Sequence, residues 1–236
     1  MSTEIPPLGR DPAAGAKLQI LATEHWSLLA TRSLTYTESL GRVNMFLAIL
    51  SGAVIALALV AQADHFGPTF ITVAIFMLAV VLFVGVATIS RLMALNQDDF
   101  RWVVGMNRLR KAYLELHPEL EPHFVTSPYD DLPGVLQSLG LDIEIFPDKP
   151  LRRRQQLGSA FHGLQTLPGM LSVIVAAVAG AIVTLLAFAI GLPLYGVLIA
   201  GGAAFVVAEV LMGIWGSRSV RRLSPSLAAR FPSPKT

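Results

Sequence analysis

The chain contains no cysteine. Disulfides, thiolate nucleophiles and cysteine-ligated metal centres are therefore excluded. Charge is also scarce. Asp, Glu, Lys and Arg make up 14% of the 236 residues and hydrophobic residues 53%, whereas soluble domains carry ~25% charge. The shortage is concentrated in four apolar runs, Met45–Ala63, Thr69–Ser90, Met170–Ile190 and Leu192–Trp215, where Glu209 is the one ionisable residue. The sequence also lacks a phosphate loop, a G-x-S-x-G elbow, an H-E-x-x-H pair and any kinase or dinucleotide fingerprint. The expectation is a protein that is not an enzyme and needs no cofactor. Basic residues alternate with acidic ones or flank the apolar runs, which argues against nucleic acid as a partner.

Each run is long enough, or nearly so, to cross a ~30 Å hydrocarbon core at 1.5 Å per helical residue. All 18 Lys and Arg residues fall before the first run, between the second and third, or after the fourth. The short links Gln62–Pro68 and Gly191–Pro193 contain none. This asymmetry places the basic segments in the cytoplasm. It predicts an all-α polytopic protein of the cell inner (plasma) membrane. Four transmembrane helices form two hairpins, both termini are cytoplasmic, and the lipid bilayer is the obligatory partner. Continuous rather than alternating apolar runs exclude a β-barrel. The first run begins after 44 residues with no n-region or cleavage site before it, so no removable signal peptide is expected.

Residues 1–15 contain three prolines and two glycines and read as a flexible tail. Residues 16–117 read as a long helical hairpin, with spans 45–63 and 69–90 extended into the cytoplasm. In the first extension Leu18, Leu21, Leu28, Leu29, Tyr36, Leu40 and Val43 share one side of a helical wheel, with Glu24, Ser27, Thr31, Glu38 and Arg42 opposite. In the second, Leu92, Leu95, Trp102, Val103, Met106, Leu109 and Tyr113 form the stripe, while Arg101, Arg108, Lys111 and Glu115 face away. The two stripes are expected to bury each other in a cytoplasmic helical domain that residues 118–167 complete. Ser127-Pro128-Tyr129-Asp130 has the form of a capped helix start, with a stop at Gly140. Leu141–Phe146 alternates apolar and acidic residues ahead of Pro147. Residues 168–216 form the second transmembrane hairpin, spans 170–190 and 192–215, and 217–236 a basic cytoplasmic tail.

Few residues invite chemistry. Glu209 lies ~9 Å from the cytoplasmic end of its span at 1.5 Å per residue, at the depth expected of Ser51 and Thr88. These three form a candidate intramembrane polar site. Gln62 and Asp64 mark a candidate outer mouth. Arg152, Arg153, Arg154, Arg218, Arg221 and Arg222 flank the spans as topology determinants and candidate contacts for anionic lipid headgroups. In HPELEPH, His117, Glu119, Glu121 and His123 could in principle meet a metal, but Pro118 and Pro122 prevent a common helical face and leave a solvated turn. No metal site is expected. His25 and Arg32 lie on the first stripe, and Asp99 and Arg110 on the second, as polar contacts between helices. Small residues repeat every four positions at Ala48, Gly52 and Ala56, at Ala176, Gly180 and Thr184, and at Gly196, Ala200, Ala204 and Ala208, as helix-packing ridges.

The segment LATEHWSLLATRSLTYTESLGR, Leu21–Arg42, resembles the opening of a family of small uncharacterised bacterial four-span membrane proteins. MNRLRKAYLELHPELEPHFVTSPYDD resembles that family's cytoplasmic segment. This resemblance implies the topology and no activity. Within LAILSGAVIALALVAQAD, Ser51-Gly52, Gln62 and Asp64 resemble the pore helix of Orai-type calcium channels, although the residue aligned with that family's filter glutamate is Val60. Two functions follow as expectations: a non-enzymatic interaction or structural protein acting as a homo-oligomer, or an oligomeric ion channel lined by span 1 or span 4.

Overall fold

Prolines bracket the helices. None lies between Pro12 and Pro68, or between Pro68 and Pro118, so nothing removes a helical N–H donor across either stretch. The computed structural model describes residues 12–140, 166–221 and 229–234. Helix α1 runs Pro12–Asp64 and α2 runs Pro68–Leu116. A 3₁₀ turn, Pro118–His123, and a short α3, Leu132–Ser138, follow. Helix α4 is Leu167–Ala189 and α5 is Leu194–Arg221. No strand occurs among the described residues. The expectation for Leu141–Phe146 lies outside them. Helices α1, α2, α4 and α5 are each long and apolar enough to cross a membrane.

Local chemistry sets the helix ends. Asp64 Oδ2 accepts the Phe70 N–H at 2.7 Å and caps α2, and Thr166 caps α4 by accepting from Gly169 N at 3.3 Å. Helix α4 stops in a Schellman turn: Gly191 has φ 78°, its N–H meets Phe188 O at 3.0 Å, and Leu192 N meets Ala187 O at 3.1 Å. Glycine reaches that left-handed conformation without a Cβ clash. The first cap of α3 is Asp131, which accepts from Gly134 N at 3.0 Å. Ser127, expected in that role, instead accepts from Tyr129 N at 3.1 Å, within a turn that precedes the helix.

The described chain forms two units. One comprises residues 12–34, 98–140 and 229–234. Here Val103 and Met106 of the expected α2 stripe are buried, and so is Val104, which was not placed on it. Leu28 Cδ1 packs close to Gly105. Arg32 grips Asp99 with Nε–Oδ1 2.7 Å and Nη2–Oδ2 3.3 Å. Asn107 is fully buried and satisfied at both ends of its amide. Its Nδ2 donates to Tyr129 O at 2.7 Å and Gly134 O at 3.3 Å, and its Oδ1 accepts from Arg110 at 2.6 Å and Ser138 at 2.9 Å.

The other unit comprises residues 35–97 and 166–221. Its core joins Phe46 and Ala53 of α1, Leu78, Val81, Ile89, Leu92 and Leu95 of α2, and Leu171, Val175 and Val178 of α4. At Gly85 an added Cβ would come within 2.6 Å of Val175 and 2.9 Å of Phe46. Helix α5 joins through α4. A Cβ on Gly180 would stand 3.0 Å from Gly201 O and 3.3 Å from the Phe205 Cβ, and one on Gly201 would strike Thr184 Oγ1. The expected Gly180–Thr184 ridge is thus in use, and it meets Gly201.

Two side assignments are corrected. Leu18, Leu29, Tyr36 and Leu40 of the expected α1 stripe are exposed, whereas Glu38 and Arg42, expected on the outer face, are half-buried. Arg108, also expected outward, reaches Asp130 at 2.7 Å. The cause is the same in each case. A wheel ranks residues by hydrophobicity, whereas these arginines and Glu38 bury their stems to reach fixed charges.

Gly180→Val should lower the stability of detergent-purified protein by ~1–3 kcal/mol, the usual cost of overpacking. Gly213→Val, where nothing lies within 4 Å of the added carbon, should not. Thermal melting of both variants checks this.

Candidate functional site

In the unit formed by residues 35–97 and 166–221, the acid of the fourth apolar run has a specific partner. Glu209 Oε1 lies 2.9 Å from Ser172 Oγ, which also lies 2.7 Å from the Gly169 carbonyl. Serine carries one hydroxyl proton, so the two acceptors share it. Oε2 of Glu209 is sealed from solvent with no hydrogen-bond partner among the described residues. That oxygen can accept one more donor or a cation. The carboxylate does not meet Ser51, which is exposed on α1, or Thr88, which donates to Val84 O at 2.8 Å within its own helix. Ser172 was not singled out from sequence. It lies two residues inside the third run, as Glu209 lies six inside the fourth, both near the ends expected to be cytoplasmic.

The same unit holds a charged cluster that the wheel misplaced. Glu38 accepts from Arg91 Nε at 2.9 Å, from Arg91 Nη2 at 3.0 Å and from Arg42 Nε at 2.8 Å. Hydrogen bonds from Arg91, then Arg42, hold its carboxyl at about 2 against an ordinary 4.5. Gln97 Nε2 donates to Ser219 Oγ at 2.5 Å.

In the unit formed by residues 12–34, 98–140 and 229–234, polar groups gather around two acids. Asp130 is 2% exposed. It accepts from Arg108 Nε at 2.7 Å, Arg230 N at 3.0 Å and Phe231 N at 2.8 Å. Burial raises its carboxyl pKa, but the hydrogen bonds from Arg230, Arg108 and Phe231 outweigh it, and the net shift is downward from 3.8. Asp131 accepts from Ser233 N at 2.7 Å and from Ser233 Oγ at 2.9 Å. Nearby, the His25 ring stacks at 5.9 Å on Tyr113. Burial first, then the Arg110 charge, lowers the His25 pKa from 6.5, which keeps the imidazole neutral at pH 7.

The remaining sequence candidates separate. Gln62 is exposed near the end of α1, while Asp64 is committed to capping α2. Arg218 is exposed on α5 and Arg221 ends that helix. Arg152, Arg153, Arg154 and Arg222 lie outside the described residues. His117 and Glu119 approach to 3.0 Å on the exposed 3₁₀ turn, and no group of three or more metal-ligating side chains forms among the described residues. Asn107, Asp130 and Asp131 were not singled out from sequence. The available signal for Asn107 was an amide next to the apolar positions Val103 and Met106. Asp130 and Asp131 gave none for their contacts with residues 230–233, which lie about a hundred positions away. No protein family, curated protein or solved structure matches the chain.

Two outcomes are expected. Glu209→Gln should keep the Ser172 contact and melt within ~1 kcal/mol of the parent, since a neutral bond replaces a charge-assisted one. Glu38 contributes stability that is full above its unfolded value of 4.5 and lost as pH falls through about 2. The melting difference between the parent and Glu38→Gln should therefore be flat above 4.5 and shrink below it.

Proposed function

We propose that the chain is a multi-pass protein of the cell inner membrane, built as two hairpins with both termini and a helical domain in the cytoplasm. It acts by interaction rather than catalysis, as a homo-oligomer. The confinement of all 18 basic residues to one side of the apolar runs supports the orientation. One observation carries the oligomer. Gly41, Asn44, Ala48, Ser51, Ile55, Ala58 and Gln62 follow one another at alternating steps of three and four along α1, and every one is exposed. This is the 3.5-residue repeat of a helix that lies along another helix. Small residues allow close backbone approach, and Asn44, Ser51 and Gln62 supply polar groups on the same line. Two copies with the same orientation set α1 parallel to α1, so that like residues meet.

The same polar line also favours a second reading, a pore lined by span 1. Its spacing weighs against that. Ser51 and Gln62 stand ~16 Å apart at 1.5 Å per residue, with Ile55 and Ala58 between them. Purified protein in planar bilayers should pass no ion current. Reproducible single-channel currents altered by Gly52→Trp would replace the interaction reading with the channel.

The absence of cysteine makes both halves of the proposal directly testable. Ser51→Cys should form a disulfide-linked dimer in oxidised membranes, and Ala53→Cys, buried in the core, should not. Failure of Asn44, Ala48 and Ser51 cysteines to cross-link, together with a monomeric mass in detergent, would end the homo-oligomer. Cysteines at His65 and Pro193 should react with an impermeant maleimide from outside intact cells, while one at Ser138 should be protected. The reverse pattern would invert the topology.

A further inference from the structure

The segment Arg230–Ser233 has no helix or strand of its own, yet it is held by five hydrogen bonds. Three come from its backbone N–H groups: Arg230 and Phe231 to Asp130, and Ser233 to Asp131. A fourth is accepted by its backbone, from Asp130 N to Phe231 O at 3.2 Å. The fifth is the Ser233 hydroxyl to Asp131. The acids therefore read a main chain that bends at Arg230 and Phe231, and one hydroxyl, and main-chain groups read together with a side chain are the means of peptide recognition. Pro232 and Pro234 each have a fixed φ near −65°, which lowers the entropy lost when such a segment docks.

The surface that receives the segment is braced without it. Arg108 holds Asp130 and the Gly134 N–H holds Asp131. Ser127 Oγ accepts from Tyr129 N, and the buried Asn107 ties Tyr129 O and Gly134 O to α2. Arg230, Pro232 and Pro234 are exposed and Phe231 and Ser233 only half-buried, so the segment lies at the surface. A rigid, charged receptor under a surface-lying segment has the character of a site with a ligand in it.

We propose that Asp130, Asp131 and Arg108 form a peptide-binding cradle, and that the chain's own residues 230–233 occupy it as an exchangeable ligand of the class hydrophobic-Pro-Ser. A partner protein that presents the same segment binds by displacing the tail. This inference is independent of the homo-oligomer, because every group in it belongs to one unit of one chain.

The test uses the protein purified in detergent and a fluorescent octapeptide with the sequence of residues 229–236. A chain ending at Ala229 should bind the peptide saturably by anisotropy. The full-length chain, whose own tail competes, should bind at least tenfold more weakly. N-methylation of the peptide at the position of Phe231 removes the N–H that Asp130 accepts while keeping every side chain, and should weaken binding at least tenfold. The full-length double variant Phe231→Ala, Ser233→Ala loosens the tail without removing it, and should bind the unmodified peptide more tightly than the parent does. A truncated chain that melts normally but takes no peptide would overturn the cradle, as would equal binding of the N-methylated peptide. If truncation prevents folding, the double variant decides: binding no tighter than the parent's makes the tail a fixed part of the fold.

Discussion

Three helices meet at a residue with no side chain. Gly85 of α2 lets Phe46 of α1 and Val175 of α4 close on its backbone, and both of those residues are 0% exposed. In a hydrocarbon solvent, apolar burial gives helices no reason to associate, and the gain comes from dispersion across close contacts. The core of this unit is consistent with that constraint. Where α4 meets α5 the same device recurs, with Gly180 against Gly201. Large residues surround these contacts, but the glycines set how near the backbones come.

Polar chemistry takes over where the apolar runs end. Arg32–Asp99, Glu38 with Arg91 and Arg42, and Asn107 with its four partners are distributed along α1 and α2 outside the runs. Exposed ion pairs add little stability, but a bidentate arginine fixes register and angle. A satisfied buried amide does so more strictly, because each of its bonds depends on the others being made. Packing inside the runs and hydrogen bonding outside them thus perform the same task by different means.

How much was legible follows from the range of each interaction. The four helices are set by proline placement and by runs of apolar residues, both local properties, and the sequence is sufficient for them. Arg32–Asp99 was also within reach, since two opposite charges on facing stripes have few other options. The stripe of α1 was misread because it assumed one apolar face and one wet face. Leucines occur all around this helix, so the polar contacts of Glu38 and Arg42 decided which side is covered. Ser172 was missed because Ser51 and Thr88 also stand near the ends expected to be cytoplasmic, and approximate depth does not identify a neighbour. The partners of Asp130 and Asp131 in residues 230–233 were out of reach. Nothing in Ser127–Asp131 indicates that residues 230–233 return to it.

That return has a consequence for the order in which the chain is made. Asp130 waits for the N–H groups of residues 230 and 231, a sequence separation of 100 and 101. At ~5–20 residues per second of synthesis, a hundred residues take ~5–20 s. During that interval Asp130 and Asp131 stand ready while α4 and α5 are still being produced. The tail can reach them only after the last apolar run has been translated. Its docking therefore follows the synthesis of all four apolar runs, and a ribosome that stops before residue 230 leaves a product recognisable by two aspartates without their tail.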